Sequence, residues 1–132
     1  MIKSLAIIDD DEIFHLTVSK TIQLVKIDCK VKYFVNGEEA MSFLLTQIDI
    51  VDDLPEAIML DINMPVMDGW EFMEEYAVKL KPRLKKPITV YMVSSSINDK
   101  DIERARKLSD ISNYYVKPIT ENKIREIINN LN

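Results

Sequence analysis

The run Ala57-Ile58-Met59-Leu60-Asp61 decides the fold, because four apolar residues in succession end abruptly at an acid. A continuous apolar run of this length is typical of a strand that is buried on both faces of a parallel sheet. The loop after it contains Met64-Pro65, and the spacing of apolar residues then predicts a helix over 69–80. The centre of the chain is therefore one strand followed by one helix.

The same alternation of strand and helix extends in both directions from this run. Apolar patterning predicts further strands over 5–8, 30–35, 88–93 and 113–116, and further helices over 12–25, 38–47, 99–108 and from 120 onward. Five strand–helix units favour a parallel sheet, because right-handed crossovers place helices on both of its faces. We therefore predict a doubly wound α/β fold with five strands in the order 2-1-3-4-5 and five helices.

The size and composition of the chain limit its class. Its 132 residues suffice for one domain with a proper core, and we expect a single domain over 1–132 without an output domain. The net charge of −5 argues against nucleic-acid binding, since phosphate contacts need a basic face. The lone Cys29 fits a reducing compartment, and the apolar run at 5–8 is too short for a signal peptide or membrane span. We expect a cytoplasmic protein that does not bind membranes.

The residues that directly follow the predicted strands form a chemical set. They are Asp9-Asp10-Asp11 after the first strand, Asp61 after the third, Ser94-Ser95-Ser96 after the fourth and Lys117-Pro118 after the fifth. In a doubly wound sheet, ligands bind outside the carboxyl ends of the strands. Clustered carboxylates repel one another, and a hard cation such as Mg²⁺, which prefers oxygen ligands, offsets that repulsion. The sequence therefore predicts a shallow cleft that joins carboxylates, a hydroxyl and an ammonium.

These side-chain types suit the transfer of a phosphoryl group. A carboxylate can attack phosphorus and form an acyl phosphate. The three charged phosphoryl oxygens then need partners, and Mg²⁺, a lysine ammonium and a serine hydroxyl supply one partner each. A side chain of every kind required stands at a predicted strand end.

Four short segments resemble the motifs of response-regulator receiver domains in two-component signalling. The loop Asp61-Ile62-Asn63-Met64-Pro65-Val66-Met67-Asp68-Gly69 is similar to their phosphoacceptor loop, and Ile7-Ile8-Asp9-Asp10-Asp11 is similar to their acidic metal pocket. Ser94-Ser95 and Lys117-Pro118 resemble their switch hydroxyl and their lysine. The resemblance runs from about Ile2 to Leu131 and implies the flavodoxin-like fold of a stand-alone, chemotaxis-receiver-like response regulator.

The resemblance implies a site in which Asp61 is the nucleophile, while Ser94 and Lys117 contact the phosphoryl group. It implies that Mg²⁺ is the cofactor, and the metal ligands that it gives are Asp9, Asp10, Asp61 and the backbone carbonyl of Asn63. Asp61 would accept the phosphoryl group and lose it by self-catalysed hydrolysis, with Asn63 and Ser96 controlling the access of water. Such a protein is a phosphoacceptor switch and not an enzyme with a separate substrate.

Ser94 and an aromatic residue on the last strand form the implied switch. Tyr114 lies three residues before Lys117 and matches the aromatic position of the family, but Tyr115 beside it leaves the choice open. The turn over 108–112 lacks the family's Gly-Ala and is one residue longer, which is the source of the ambiguity.

The implied partners are proteins. A sensor histidine kinase or a histidine phosphotransfer protein would dock near the first helix and the Met64-Pro65 loop and give the phosphoryl group. The phosphorylated protein would then contact an unknown downstream protein through its fourth helix, fifth strand and fifth helix. We expect a monomer or a weak homodimer.

Two other functions stay open on the sequence alone. Asp9-Asp10-Asp11-Glu12-Ile13 also resembles the opening motif of haloacid-dehalogenase-type phosphatases, in which the first aspartate, here Asp9, is the nucleophile. That family needs an acidic pair after a later strand, whereas Asp52-Asp53 precedes the third strand. The other possibility is a receiver-like module that binds partners without being phosphorylated. Finding which aspartate becomes phosphorylated separates these functions.

Overall fold

The computed structural model describes residues 3–131, in which a five-stranded parallel sheet lies between two layers of helices. Ile2, where the family resemblance begins, lies outside the described residues. The strands are β1 (Lys3–Ile8), β2 (Cys29–Phe34), β3 (Ala57–Leu60), β4 (Thr89–Ser94) and β5 (Ile111–Val116). The α-helices are α1 (Glu12–Val25), α2 (Gly37–Thr46), α3 (Gly69–Glu75), α4 (Asp99–Lys107) and α5 (Glu121–Asn129). The strand order is β2-β1-β3-β4-β5, so the predicted fold is confirmed.

Alternate residues of each strand face opposite helical layers. In β1, Leu5 and Ile7 pack with the apolar stripes of α1 and α5, whereas Ala6 and Ile8 pack with those of α2 and α3. Because both faces of the central strands are covered, their sequences read as continuous apolar runs. Each fully buried leucine or isoleucine of this kind contributes about 1.5–3 kcal/mol to stability. The core is therefore two apolar layers, one on each side of the sheet.

Polar side chains set where the helices begin. Asp11 precedes α1, and its Oδ1 accepts hydrogen bonds from the backbone N–H groups of Ile13 and Phe14. The residues that cap the other four α-helices in this way are Asn36, Asp68, Asn98 and Thr120. Such caps satisfy N–H groups that have no partner inside the helix. They also fix the paths of the loops that carry the strand-end residues into the helices.

The last strand differs most from the prediction. The sequence predicts that it starts at Asn113, but β5 begins at Ile111. Ile111 is buried and pairs with Val90, whereas Asn113 pairs with Tyr91, so Ser112 is an extra residue in a bulge. The preceding turn is correspondingly shorter than predicted, because burial of an isoleucine favours its place in the sheet.

Two other boundaries are also corrected. The predicted fourth strand stops before Ser94, but Ser94 is the last residue of β4. The predicted helix over 69–80 is α-helical only to Glu75 and continues as a π-helical turn (Tyr76–Leu80) and a 3-10 turn (Lys81–Arg83). Pro82 lacks the N–H that would extend the α-helical ladder. A second 3-10 turn spans Val51–Asp53 before β3.

No helix within residues 3–131 combines the length and the apolar character needed to cross a membrane.

Candidate functional site

Three carboxylates meet at the carboxyl edge of the sheet. Asp9 and Asp10 follow β1, Asp61 follows β3, and one oxygen of each carboxylate lies within 4.8 Å of the others. The ladder between β1 and β3 continues one residue past the strands, because the N–H of Asp61 donates to the carbonyl oxygen of Ile8 at 2.9 Å. Asp9 and Asp61 are buried, and Asp10 is exposed. The strand pairing therefore produces the acidic cluster that the sequence predicts.

The ammonium of Lys117 lies against this cluster. Its Nζ is 2.6 Å from Oδ2 of Asp9 and 3.7 Å from Oδ2 of Asp61. Lys117 is positioned by the sheet, since its backbone N–H donates to the carbonyl oxygen of Ser94 at 2.9 Å, and its peptide bond to Pro118 is cis. A buried ion pair is favourable only with good geometry and further polar partners. Here the ammonium of Lys117 lies close to the carboxylates of both Asp9 and Asp61.

Phe14, a buried residue of α1, also contacts the lysine. The Nζ of Lys117 lies 4.6 Å from the centroid of the Phe14 ring. An ammonium over an aromatic face is attracted by the ring quadrupole, which helps to hold the side chain in place. The sequence offers one clue, because α1 begins directly after the acids and its first inward-facing aromatic must lie beside them.

The two buried aspartates differ in their hydrogen bonds. Asp9 uses both oxygens, since Oδ1 accepts from the N–H of Asp11 at 2.9 Å and Oδ2 accepts from Lys117. Asp61 accepts at Oδ1 from the N–H of Ile62 at 2.8 Å, and among residues 3–131 its Oδ2 has only the more distant ammonium of Lys117. Burial, followed by the charge of Asp9, raises the pKa of Asp61 from its ordinary 3.8 to about 6, although Lys117 and the Ile62 N–H oppose the shift. Of the two buried aspartates, Asp61 is therefore the one with an oxygen, Oδ2, that is available to react.

The donor set fits a magnesium ion. Three carboxylates face one ammonium, so the pocket keeps an excess of negative charge, and every potential ligand atom is an oxygen. Asn63 is exposed in the loop that follows Asp61. Its backbone carbonyl as a fourth ligand stays a prediction.

The loop between β3 and α3 is packed tightly against its neighbours. The N–H of Gly69 donates to the carbonyl oxygen of Ile62 at 2.8 Å, and a Cβ at Gly69 would lie only 2.4 Å from the carbonyl oxygen of Asp61. Gly37 at the start of α2 makes a similar close approach and donates to the carbonyl oxygen of Met67 at 3.2 Å. The chain has two glycines, and both stand beside this loop. That scarcity of glycine is a feature of the sequence that points to this loop.

The residues of the predicted switch meet at the loop that follows β4. Ser94 is fully buried, and its Oγ accepts a hydrogen bond from the N–H of Ser96 at 3.2 Å. The hydroxyl of Tyr114 donates to the carbonyl oxygen of Ser96 at 2.8 Å. Tyr115 belongs to the opposite apolar layer, where its ring centroid lies 5.9 Å from that of Tyr91. Of the two tyrosines, Tyr114 is the one that reaches the loop beside the site.

Comparisons with known proteins agree with this arrangement. The sequence model of the response regulator receiver domain matches residues 5–129. Response regulator Rcp1 from Synechocystis sp. is 30% identical over 101 residues, which are 76% of this chain and 67% of that protein.

Solved structures show the same likeness. The crystal structure of a two component response regulator from Cytophaga hutchinsonii has a TM-score of 0.83 and 27% identity, covering 97% of this chain and 95% of that chain. The Mn(2+)-bound form of Rcp1 has a TM-score of 0.75 and 26% identity, covering 96% and 90% of the two chains. The family match favours the receiver interpretation over the haloacid-dehalogenase alternative. With the sheet order and the aspartate pocket in agreement, the chain belongs to the response regulator receiver domain family.

Proposed function

We propose that this protein is a phosphoacceptor switch in which Asp61 receives a phosphoryl group. The observation that carries the proposal is the ammonium of Lys117, which lies 2.6 Å from Asp9 and 3.7 Å from Asp61 in an acidic, largely buried pocket. A cation in that position can pair with an anionic group attached to Asp61. The donor is a phosphohistidine of a sensor histidine kinase or of a histidine phosphotransfer protein, as family membership implies.

Asp61 is a better nucleophile than Asp9 for a reason of geometry. Both oxygens of Asp9 already accept hydrogen bonds, and its side chain is 2% exposed. Attack by Oδ2 of Asp61 on phosphorus forms an acyl phosphate, and the histidine nitrogen leaves with the bonding electrons. These contacts argue against the haloacid-dehalogenase mechanism, which needs Asp9 to react.

The residues that would hold Mg²⁺ are Asp9, Asp10, Asp61 and the backbone carbonyl of Asn63. Bound there, the ion would offset the charge of the incoming phosphoryl oxygens and align them for in-line transfer. Rcp1, which is similar to this chain, has been crystallised in an Mn(2+)-bound form, and this supports a divalent-cation site here.

The same residues support a switching step. Lys117 and the Ser94 hydroxyl would each pair with a phosphoryl oxygen, and these new contacts would favour one of two loop conformations. Tyr114 would sense the change through its bond to Ser96. The face formed by α4, β5 and α5 would then meet a downstream protein. Hydrolysis of the acyl phosphate would return the protein to its starting state.

Labelling with acetyl phosphate and Mg²⁺, followed by peptide mass spectrometry, tests the proposal. We expect one added phosphoryl group on the peptide that contains Asp61, none in Asp61→Asn, and normal labelling in the matched surface variant Asp99→Asn. Labelling of Asp61→Asn equal to wild type would refute the acceptor assignment. Loss of labelling only in Asp9→Asn, with modification at Asp9 in wild type, would favour the phosphatase alternative. A wild-type protein that stays unlabelled but binds a partner would favour the unphosphorylated module.

A further inference from the structure

The side chain of Ser96 connects the loop after β4 to helix α4, and the proposed mechanism does not use this contact. The Oγ of Ser96 donates to Oδ2 of Asp101 at 2.7 Å, and the same Oγ accepts from the N–H of Asn98 at 3.2 Å. Asp101 lies in the first turn of α4, and both Ser96 and Asp101 are partly buried. Hydrogen bonds to a carboxylate are shorter and stronger than those between neutral groups. The Ser96 hydroxyl thus adds a bond between the loop and the helix to the cap that Asn98 provides.

Ser96 is at the same time the residue that contacts both implied switch residues. Its N–H donates to Oγ of Ser94, and its carbonyl oxygen accepts from the hydroxyl of Tyr114. Its side chain therefore bonds to α4, while its backbone bonds to the side chains of Ser94, the last residue of β4, and Tyr114, within β5. A shift of Ser96 must change the position of the Ser94 hydroxyl and the partner of Tyr114 together.

We propose that Asp101 is a positioning residue of the phosphoacceptor site. Through the Ser96 hydroxyl, it holds the loop in the form that presents Ser94 and accepts the bond from Tyr114. A loop held in its binding form loses less conformational entropy when the phosphoryl group arrives, so the affinity for that group rises. This inference rests on the proposed function of the site.

A matched control is available on the same helix. Asp99 also lies in the first turn of α4, is exposed, and carries the same charge toward the helix N-terminus. An effect of net charge or of the helix dipole would appear equally in variants of either aspartate. An effect of the bond to Ser96 would appear only at Asp101.

The binding of beryllofluoride, a phosphoryl mimic, in the presence of Mg²⁺ tests the proposal by calorimetry. Asp101→Ala and Ser96→Ala should each weaken binding about fivefold, as expected when one partly exposed hydrogen bond to a charged group is lost. Asp101→Asn and Ser96→Thr, which keep an acceptor and a hydroxyl, should restore most of the affinity. The double alanine variant should bind as well as either single variant, because both remove the same bond. Asp99→Ala should bind as wild type does.

Hydrogen exchange without the mimic provides a second, independent test. The backbone amide of Ser96 should exchange faster in Asp101→Ala than in wild type and Asp99→Ala, because the loop is released. Unchanged exchange, unchanged beryllofluoride affinity in Asp101→Ala, or an equal loss in Asp99→Ala would overturn the positioning role. Failure of the wild-type protein to bind beryllofluoride would instead count against the proposed function, and the exchange rates alone would then decide whether Asp101 holds the loop.

Discussion

Asp61 is costly to ionise in the folded protein, because burial and the neighbouring charge of Asp9 both oppose its negative charge. An acid whose pKa is higher in the folded state than in the unfolded chain binds its proton more tightly when folded. Protonation of Asp61 therefore adds stability as the pH falls from about 6 toward 3.8. Above that window the ionised carboxylate lowers the free energy of unfolding. The same electrostatic penalty favours the binding of a cation or a reaction with a phosphoryl group at Asp61.

Replacement of Asp61 by asparagine should therefore stabilise the protein when Mg²⁺ is absent. At about pH 8 we expect Asp61→Asn to raise the free energy of unfolding by about 1–2 kcal/mol, and near pH 4 the gain should shrink toward zero. Urea denaturation at both pH values measures the difference. A loss of stability at the higher pH, or an equal gain at both, would show that the charge of Asp61 is not the cause.

Val66 adopts a backbone conformation that its side chain disfavours. Its φ is 69°, in the left-handed region where a β-branched residue is strained, and its side chain is 70% exposed. Asparagine tolerates the left-handed region better than valine does. The replacement loses little apolar contact, because Val66 is exposed. We expect Val66→Asn to raise the free energy of unfolding by about 1 kcal/mol, measured by denaturant titration.

Val78 is the matched control for this change. It is also exposed, at 75%, but lies in the π-helical turn after α3 with an ordinary negative φ. Asparagine and valine have similar helix propensities, so Val78→Asn should leave stability unchanged or slightly lower. Equal responses of the two sites would mean that the strain at Val66 is not released.

At the scale of elements, the regular structure follows from local sequence, and the irregular parts do not. The run 57–60 ends in an acid and is observed as predicted, because a doubly covered strand needs an unbroken apolar run. The start of β5 is different, since Ile111 joins the sheet only through its pairing with Val90 in another strand. The approach of Phe14 to Lys117 likewise depends on tertiary packing. Contacts between distant segments are the part that local pattern cannot specify.

The bulge in β5 indicates that the strand tolerates the deletion of one residue. Ser112 is exposed, and the pairing from Tyr91 with Asn113 onward is regular without it. We expect deletion of Ser112 to change the free energy of unfolding by less than about 1 kcal/mol and to keep Tyr114 in the same register. Deletion of Ser95, on the loop side of β4, is the comparison and should impair beryllofluoride binding. Loss of folding in the Ser112 variant would mean that the bulge is required by the sheet.

At the scale of the whole molecule, the site exists because parallel crossovers bring distant strand ends together. Asp9, Asp61 and Lys117 are far apart in the chain, yet they follow three strands whose carboxyl ends share one edge. The order of strands could be predicted from alternation and family resemblance, and the side-chain types at their ends predicted the chemistry. Only the folded structure gives the distances among them and the contact of Asp101 with Ser96. It also shows that Tyr114 bonds to Ser96, whereas Tyr115 packs against Tyr91.

A crystal structure of the wild-type protein with Mg²⁺ and beryllofluoride tests the central claim most directly. We predict that the beryllium is bonded to Oδ2 of Asp61, with Lys117 and Ser94 contacting the fluorides. The metal ion should lie between Asp61 and the carboxylates of Asp9 and Asp10. Beryllium bound to another aspartate, or a metal ion outside this pocket, would contradict the account.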